Sequence, residues 1–126
     1  MSDAPLRPRP VLPLDRPPGT LQAIEVHVTA PSLDTAEAIG QALVTERLAA
    51  CAQIVPGIRS IYRWKGKVEL DTEAMLVIKT TPERYQALER RVKSMHPYEV
   101  PEVVVLPILG GSPQYLDWLA AQVEGP

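Results

Sequence analysis

The order of hydrophobic patterns along the chain constrains its fold more than any other feature of the sequence. Apolar and polar residues alternate over residues 24–28, which predicts a strand with one buried face. Apolar residues then recur at helical spacing over residues 36–48, after the candidate caps Ser32 and Asp34. We therefore expect a first strand followed by a helix that ends near residues 50–51.

Two extended segments on either side of Gly66 predict a β-hairpin. Residues 58–64 lead into the turn and residues 67–70 lead out of it, and Gly66 can adopt the positive φ that a tight turn needs. Pro56-Gly57 marks a turn or bulge just before the hairpin. Residues 74–79 are apolar on both faces, and we expect them to form a separate strand.

A second helix and a last strand complete the pattern. Thr81-Pro82 supplies a cap and a proline at the first helical position, and the apolar stripe over residues 85–95 has spacings of three and four. Residues 103–106 predict the last main strand, and Ser112-Pro113 opens a short C-terminal helix. The order strand, helix, strand, strand, helix, strand predicts an α+β, ferredoxin-like split βαβ sandwich with an antiparallel sheet. This fold hosts many unrelated functions, so function must be argued from individual residues.

The first 20 residues differ in composition from the rest of the chain. Six of the fourteen prolines fall in residues 1–20, which predicts a disordered extension with polyproline II character. A P-x-x-P recognition motif is the alternative reading. We therefore divide the chain into a tail, residues 1–20, and one domain, residues 21–126. The tail lacks the apolar core of a signal peptide and no segment is apolar enough to span a membrane, so we expect a cytoplasmic protein.

Several classes of function are disfavoured by what the sequence lacks. Its single cysteine, Cys51, rules out a C-x-x-C metal-transfer motif and an intrachain disulfide. Neither residues 26–29 nor residues 74–79 contain the aromatic side chains with which RNA-recognition domains stack bases. The net charge of −2 also gives no indication of a nucleic-acid partner. We find no nucleotide-binding or zinc-protease motif, and expect neither nucleic acid, membrane nor organic cofactor as a ligand.

Residues 96–102 gather several side chains that could do chemistry. The sequence His-Pro-Tyr-Glu-Val-Pro-Glu places an imidazole, a phenol and two carboxylates in seven residues, and two prolines stiffen the backbone. His96 with Glu99 or Glu102 could bind a borderline metal ion. Equally, the segment could be a rigid helix-to-strand connection whose polar groups bond to one another.

Two further residues have both a structural and a functional interpretation. Cys51 follows an apolar helix end, which favours a small buried hydrophobe, although a thiolate is also a metal ligand. His27 falls on the polar side of the first strand, where a surface or sheet-edge role is more common than metal binding.

The hairpin carries the aromatic residues of a candidate interface. Tyr62 and Trp64 share one strand face and flank Arg63, and rigid aromatics of this kind dominate many protein interfaces. Lys79 ends a predicted strand, where it could meet an anion or simply be solvated.

Six short segments, in this order, resemble the CutA family of divalent-cation-tolerance proteins: Val28–Ser32, Leu48–Cys51, Ile61–Lys67, Ile78–Thr80, His96–Glu102 and Tyr115–Trp118. The blocks YRWKGK and HPYEVPE are the most specific of these. Gln53 departs from the family, which usually has Asn there, and the tail of residues 1–20 lies outside the resemblance.

The resemblance implies a ferredoxin-like subunit in a tight homotrimer, similar in architecture to the PII signalling proteins. It also implies a role in tolerance to divalent cations, with copper or another divalent cation as ligand. Residues that match the family's motifs would line a cleft between subunits. The expected metal donors are Cys51, His96 and Glu102, the expected cleft residues are Trp64, Lys79, Tyr98 and Glu99, and the expected interface residues are Tyr62, Arg63 and Trp64.

Three functions therefore remain open from the sequence. The first is a copper or divalent-cation binder that uses His96, a nearby carboxylate and Cys51. The second is a PII-like sensor that binds a small molecule near Lys79, Trp64 and Tyr98. The third is an enzyme in which a His–Glu pair does acid–base chemistry. No catalytic constellation supports the third, and we predict that the protein is not an enzyme and has no catalytic residue.

Overall fold

The computed structural model describes residues 21–125, so the predicted tail of residues 1–20 lies outside the described part of the chain. A 3-10 turn at Pro82–Arg84 precedes the second helix. The strands and helices, in chain order, are β1 Ile24–Ala30, α1 Leu33–Thr45, β2 Cys51–Trp64, β3 Lys67–Thr80, α2 Tyr85–Met95, β4 Val103–Pro107 and α3 Pro113–Gln122. No helix within residues 21–125 is long and apolar enough to cross a membrane.

The four strands form one antiparallel sheet in the order β2-β3-β1-β4. Helices α1 and α2 cover one face of this sheet. The alternate residues of β1 and β3 that point toward the helices are fully buried, and they pack with the apolar stripes of both helices: Val26, Val28, Ile39, Leu43, Leu76, Ile78, Leu88 and Val92. This arrangement confirms the predicted ferredoxin-like fold.

Helix α3 closes the end of the sheet where β1 and β2 begin. Its buried residues Leu116 and Leu119 form a second apolar cluster with Ala23, Ala50 and Val123. Ser112 caps the helix by accepting a hydrogen bond from the Tyr115 backbone N–H. Beyond the helix, the Arg84 guanidinium donates hydrogen bonds to the backbone carbonyls of Val123 (2.7 Å) and Gly125. The end of the described chain is therefore anchored to the domain.

The turn and bulge predicted around the hairpin are confirmed. Lys65 and Gly66 have φ of 51° and 81°, so both adopt the left-handed conformation of a tight two-residue turn. The pairing register between β2 and β3 shifts between Val55 and Ile58, where Gly57 has φ 72°. The bulge therefore lies inside one long strand.

The predicted end of α1 is wrong by several residues. The helix ends at Thr45 instead of residues 50–51, and Arg47 adopts a positive φ of 59° directly after it. The backbone N–H groups of Leu48 and Ala49 fold back to the Leu43 carbonyl, which terminates the helix. Leu48 still packs against the core. Its apolar side chain therefore continues the helical spacing in the sequence, although its backbone is not helical.

The predicted break between residues 70 and 74 does not exist. Strand β3 runs without interruption from Lys67 to Thr80, and Asp71, Thr72 and Glu73 pair with β2. Asp71 and Thr72 are exposed, whereas Glu73 is buried. Exposed polar side chains are compatible with a strand, and the buried Glu73 is accommodated because its carboxylate accepts a hydrogen bond from the Tyr98 hydroxyl.

Candidate functional site

The tip of the hairpin lies beside the connection between α2 and β4. The Lys65 ammonium is 5.7 Å from the centroid of the Trp64 ring and 3.9 Å from Oε2 of Glu99. Trp64 remains 39% exposed. An exposed aromatic ring, a cation and a carboxylate are therefore gathered at one end of the molecule.

Two phenols bind two carboxylates of β3, between the turn and the middle of the strand. The Tyr98 hydroxyl donates to Oε2 of Glu73 at 2.8 Å, and the Tyr62 hydroxyl donates to Asp71. Glu73 is only 7% exposed, so the bond from Tyr98 satisfies a buried carboxylate. The bond to Asp71, with a smaller effect of burial, raises the pKa of Tyr62 to about 12. Burial and then the bond to Glu73 raise the pKa of Tyr98.

His96 fastens the connection to the sheet. Its Nε2 lies 2.6 Å from the Thr29 carbonyl oxygen, and its Nδ1 lies 3.2 Å from the backbone nitrogen of Tyr98. Because the carbonyl can only accept, Nε2 carries the hydrogen and Nδ1 accepts from the Tyr98 N–H. The His96 and Tyr98 rings also pack together, with centroids 4.7 Å apart. Both ring nitrogens are thus engaged, and a metal ion at His96 would have to displace one of these bonds.

These contacts define a hairpin-end cluster, and a second group of side chains lies elsewhere. The hairpin-end cluster consists of Tyr62, Trp64, Lys65, Asp71, Glu73, Tyr98 and Glu99. The second group, which we name the strand-start cluster, lies where β2 begins and β3 ends, and consists of Cys51, Gln53, Lys79, Tyr115 and Trp118.

The strand-start cluster places a thiol, a phenol and an ammonium group close together. The Cys51 sulfur is 3.8 Å from the Tyr115 hydroxyl, and Lys79, directly opposite Cys51 in the register, donates to Oε1 of Gln53 at 2.7 Å. Burial and then the bond to Cys51 raise the pKa of Tyr115. Trp118 packs on Tyr115 with ring centroids 5.6 Å apart. This free, partly buried thiol is therefore accessible to a soft metal ion.

The two clusters are separated along the hairpin, and the hairpin-end cluster extends from the turn to Glu73 in the middle of β3. Lys79 pairs with Cys51 and Lys67 pairs with Trp64, and these two pairs are twelve positions apart along β3. At about 3.3 Å per residue, Trp64 is roughly 40 Å and Glu73 roughly 20 Å along the strand from the pair of Cys51 and Lys79. The predicted cleft residues are thus divided, because Trp64, Tyr98 and Glu99 lie in the hairpin-end cluster and Lys79 lies in the other.

One copy of the chain also does not bring the three predicted metal donors together. His96 bonds to Thr29, which pairs with Met75, about 13 Å along β3 from Lys79 and the neighbouring Cys51. Glu102 is exposed immediately before β4. Within residues 21–125, no three His, Cys, Asp or Glu side chains lie close enough to hold a metal ion.

Three partners in these clusters were not identified from the sequence. Asp71 and Glu73 fell in the predicted break. They alternate with Thr72 on β3, the strand that pairs with the strand of Tyr62, and this alternation is the signal that could have identified them. Tyr115 was part of a family-like motif but was not assigned to the site. Its contact with Cys51 joins residues 64 positions apart and depends on how α3 docks.

Comparison with known proteins places this chain in a family. The sequence model described as CutA1 divalent ion tolerance protein matches residues 24–122. The chain is 55% identical over 94 residues to the divalent-cation tolerance protein CutA of Thermus thermophilus, covering 75% of this chain and 91% of that protein. It is 47% identical over 100 residues to the chloroplastic protein CutA of Arabidopsis thaliana, covering 79% of this chain but only 55% of that protein.

A solved structure supports membership of the same family. The periplasmic divalent cation tolerance protein CutA from Archaeoglobus fulgidus superposes with a TM-score of 0.79 at 39% identity, covering 81% of this chain and 99% of that one. The descriptions of these relatives name both chloroplast and periplasm, so family membership does not fix a cellular location.

Proposed function

The chain belongs to the CutA1 divalent ion tolerance family, and on that basis we propose that it is a homotrimeric protein that binds copper or another divalent cation between subunits. In this proposal, the hairpin-end cluster of one copy, together with the adjacent residues His96 and Glu102, meets the strand-start cluster of the next. The observation that carries it is the separation of the family-matching residues into two clusters within one copy. A shared site requires a neighbouring copy to bring the two clusters together.

The apolar surface of a single copy supports self-association. Ile61, Val68 and Leu70 on the hairpin are each more than half exposed. The outer strands of the sheet, β2 and β4, have no strand partner on their outer sides within residues 21–125. Exposed apolar patches and open strand edges are features that a second copy can cover. We place Tyr62, Arg63 and Trp64 in this interface.

The chemistry of the donors supports a soft or borderline cation. A thiolate favours Cu(I) and zinc, and an imidazole or carboxylate completes sites for Cu(II) or zinc. We propose that Cys51 comes from one copy and that Glu102, or His96 after release of the Thr29 carbonyl, comes from its neighbour. The names of the relatives describe a tolerance protein, and we propose that this protein acts by binding and not by catalysis.

Calorimetric titration with Cu(II) and with Zn(II) tests the donor assignment. We expect saturable binding by the purified apo protein at one site per subunit, with a large loss of affinity in Cys51→Ser and in Glu102→Gln. Glu83→Gln is the matched control, because Glu83 is an exposed carboxylate outside both clusters. Binding that is unchanged in both donor variants would overturn the assignment.

A PII-like sensor of a small molecule is the second candidate function. Trp64 and Tyr98 offer aromatic surface in one cluster and Lys79 offers a cation in the other, a combination suited to an anion with an apolar part. A thermal-shift screen with nucleotides and other anionic metabolites tests it. We expect a stabilising ligand to lose its effect in Trp64→Ala and in Lys79→Gln, and no shift across the panel would contradict this function.

We also propose a cytoplasmic location. Its support is the single cysteine, which suits a reducing compartment. Cell fractionation with an antibody to the protein tests the location directly.

A further inference from the structure

A groove lies at the end of the domain where the described part of the chain begins. It has a volume of about 490 Å³ and is formed by three parts of the fold: the segment before β1, the turn that precedes α2, and the end of α3. Its walls include Leu21, Glu83, Arg84, Ala120, Val123 and Glu124. None of these residues belongs to the hairpin-end cluster or to the strand-start cluster, so the proposed cation site does not use this groove.

Apolar side chains form the inner wall of the groove. Val123 is buried, and Leu21 and Ala120 are half-buried. Val123 is also part of the apolar cluster that holds α3 against the sheet. A segment that packs on this wall would therefore bury further apolar surface at the contact that fixes α3.

Two carboxylates stand at the rim of the groove. Glu83 and Glu124 are exposed, and neither forms an ion pair with another residue in the described part of the chain. The Arg84 guanidinium also lines the groove, but it donates to the Val123 and Gly125 carbonyls and so holds the end of the chain. Two carboxylates beside one guanidinium leave an excess of negative charge, which favours a cationic occupant.

The chain itself carries a cationic segment next to the groove. Leu21 is part of the wall, so the residue before it is attached at the edge of the groove. Residues 14–20 read Leu-Asp-Arg-Pro-Pro-Gly-Thr, in which Arg16 precedes two prolines. Five residues of extended chain at about 3.1 Å each separate Arg16 from Leu21 by up to roughly 15 Å, which exceeds the width of a groove of this volume.

We propose that this groove is the docking site of residues 14–20 of the same chain. The two prolines pack on Ala120 and Val123, and the Arg16 guanidinium lies between Glu83 and Glu124. Gly19 allows the chain to reverse direction into the groove. For these seven residues, docking replaces the disorder that the sequence predicts for the tail.

The covalent link makes a weak contact sufficient for docking. A short tether holds its two ends at an effective concentration in the millimolar range, so the contact needs little intrinsic affinity. The two prolines also restrict the undocked segment, which lowers the conformational entropy that is lost when it is ordered. Asp15 and Arg16 are neighbours and point in different directions in an extended chain, so Asp15 does not have to approach the acidic rim.

Docking of the tail would steady one wall of the strand-start cluster. The end of α3 lines the groove, and the same helix carries Tyr115, whose hydroxyl lies 3.8 Å from the Cys51 sulfur. Residues 14–20 therefore act as a strap that keeps α3, and with it Tyr115, in place over the thiol. This inference goes beyond the proposed cation binding and does not depend on it.

Hydrogen exchange of the full chain, read by mass spectrometry over residues 81–84 and 117–124, tests the docking. Arg16→Gln removes the cation, and Arg9→Gln is the matched control because it makes the same change farther from the groove. We expect exchange over both segments to be about two- to fivefold faster in Arg16→Gln, the range that one partly exposed ion pair supports. Exchange in Arg9→Gln should match the wild type.

A double-mutant cycle assigns the effect to the rim of the groove. Glu83→Gln combined with Glu124→Gln neutralises the rim, and we expect a further Arg16→Gln change to have no additional effect in that background. The docking is wrong if Arg16→Gln exchanges like Arg9→Gln, or if it keeps its full effect after the rim is neutralised. No metal is added in these measurements, so either result leaves the proposed cation site standing.

Discussion

Tyr98 and His96 together hold the connection between α2 and β4 against the sheet. The sequence predicted a rigid connection here because of its prolines, and it left open whether the polar groups bind a ligand or one another. In the structure, His96 bonds to Thr29 and to the Tyr98 backbone, and the Tyr98 hydroxyl bonds to Glu73. Neither Thr29 nor Glu73 lies in the segment of residues 96–102. Their identity depends on tertiary packing, which spacing in the sequence does not encode.

Tyr98→Phe should destabilise the protein measurably. The substitution leaves the buried Glu73 carboxylate without its hydrogen bond, which costs about 1–3 kcal/mol. Tyr62→Phe is the matched control, because Tyr62 makes the same kind of bond to Asp71 at a position that is exposed in the single copy, where the expected loss is smaller. Guanidinium unfolding at one fixed protein concentration compares them. Equal losses in the two variants would contradict the account of Glu73.

The tyrosines also predict a loss of stability at alkaline pH. The pKa of Tyr62 is raised to about 12, and the pKa of Tyr98 is raised by burial and by Glu73, so folding favours the protonated phenols. The stabilisation is present below the ordinary tyrosine pKa of about 10 and is lost as the pH rises through the folded-state values.

Tyrosinate absorbance measures this effect. We expect the native protein to ionise its tyrosines at higher pH than the chain unfolded in guanidinium, with the difference reduced in Tyr98→Phe. Superimposable titration curves for the native and unfolded protein would contradict the hydrogen bonds described for these phenols.

The long β2–β3 hairpin is the element that sets the distance between the two clusters. Its turn and its bulge could be predicted, because Gly66 and Pro56-Gly57 are local signals. Its continuity could not, because the polar residues 71–73 resemble a loop when their pairing partners are unknown. The end of α1 was missed for a related reason, since the buried Leu48 continues the apolar spacing after the helix has ended.

Gly66→Ala should weaken the hairpin. A side chain at φ 81° is strained, and the left-handed conformation costs non-glycine residues about 1–2 kcal/mol. Gly110→Ala is the control, because Gly110 has no positive φ and an added Cβ there meets no atom within 4 Å. We expect the midpoint of guanidinium unfolding to fall in the first variant and to stay near wild type in the second. A loss of the same size in Gly110→Ala would show that the turn conformation is not the cause.

The arrangement of the whole subunit explains why motif residues that resemble one site in the sequence are far apart in the structure. The pairing register of β2 and β3 places Cys51 beside Lys79. Trp64 lies at the other end of the hairpin, roughly 40 Å away along the strand. The fold and the clustering of residues 96–102 could be predicted from spacing. The division of the site could not, because it depends on register and on contacts with α3, such as that between Cys51 and Tyr115.

The claim that a cation site is shared between copies can be tested with mixed oligomers. Cys51→Ser and Glu102→Gln subunits, carrying different tags, are unfolded together, refolded, and titrated with Cu(II) beside each variant alone. In a cyclic oligomer mixed at random in equal amounts, about a quarter of the interfaces join an intact Cys51 to an intact Glu102. The account predicts that neither variant binds alone and that the mixture recovers about that fraction of the wild-type sites. A mixture that recovers no sites, or variants that each bind as tightly as wild type, would contradict a site shared between subunits.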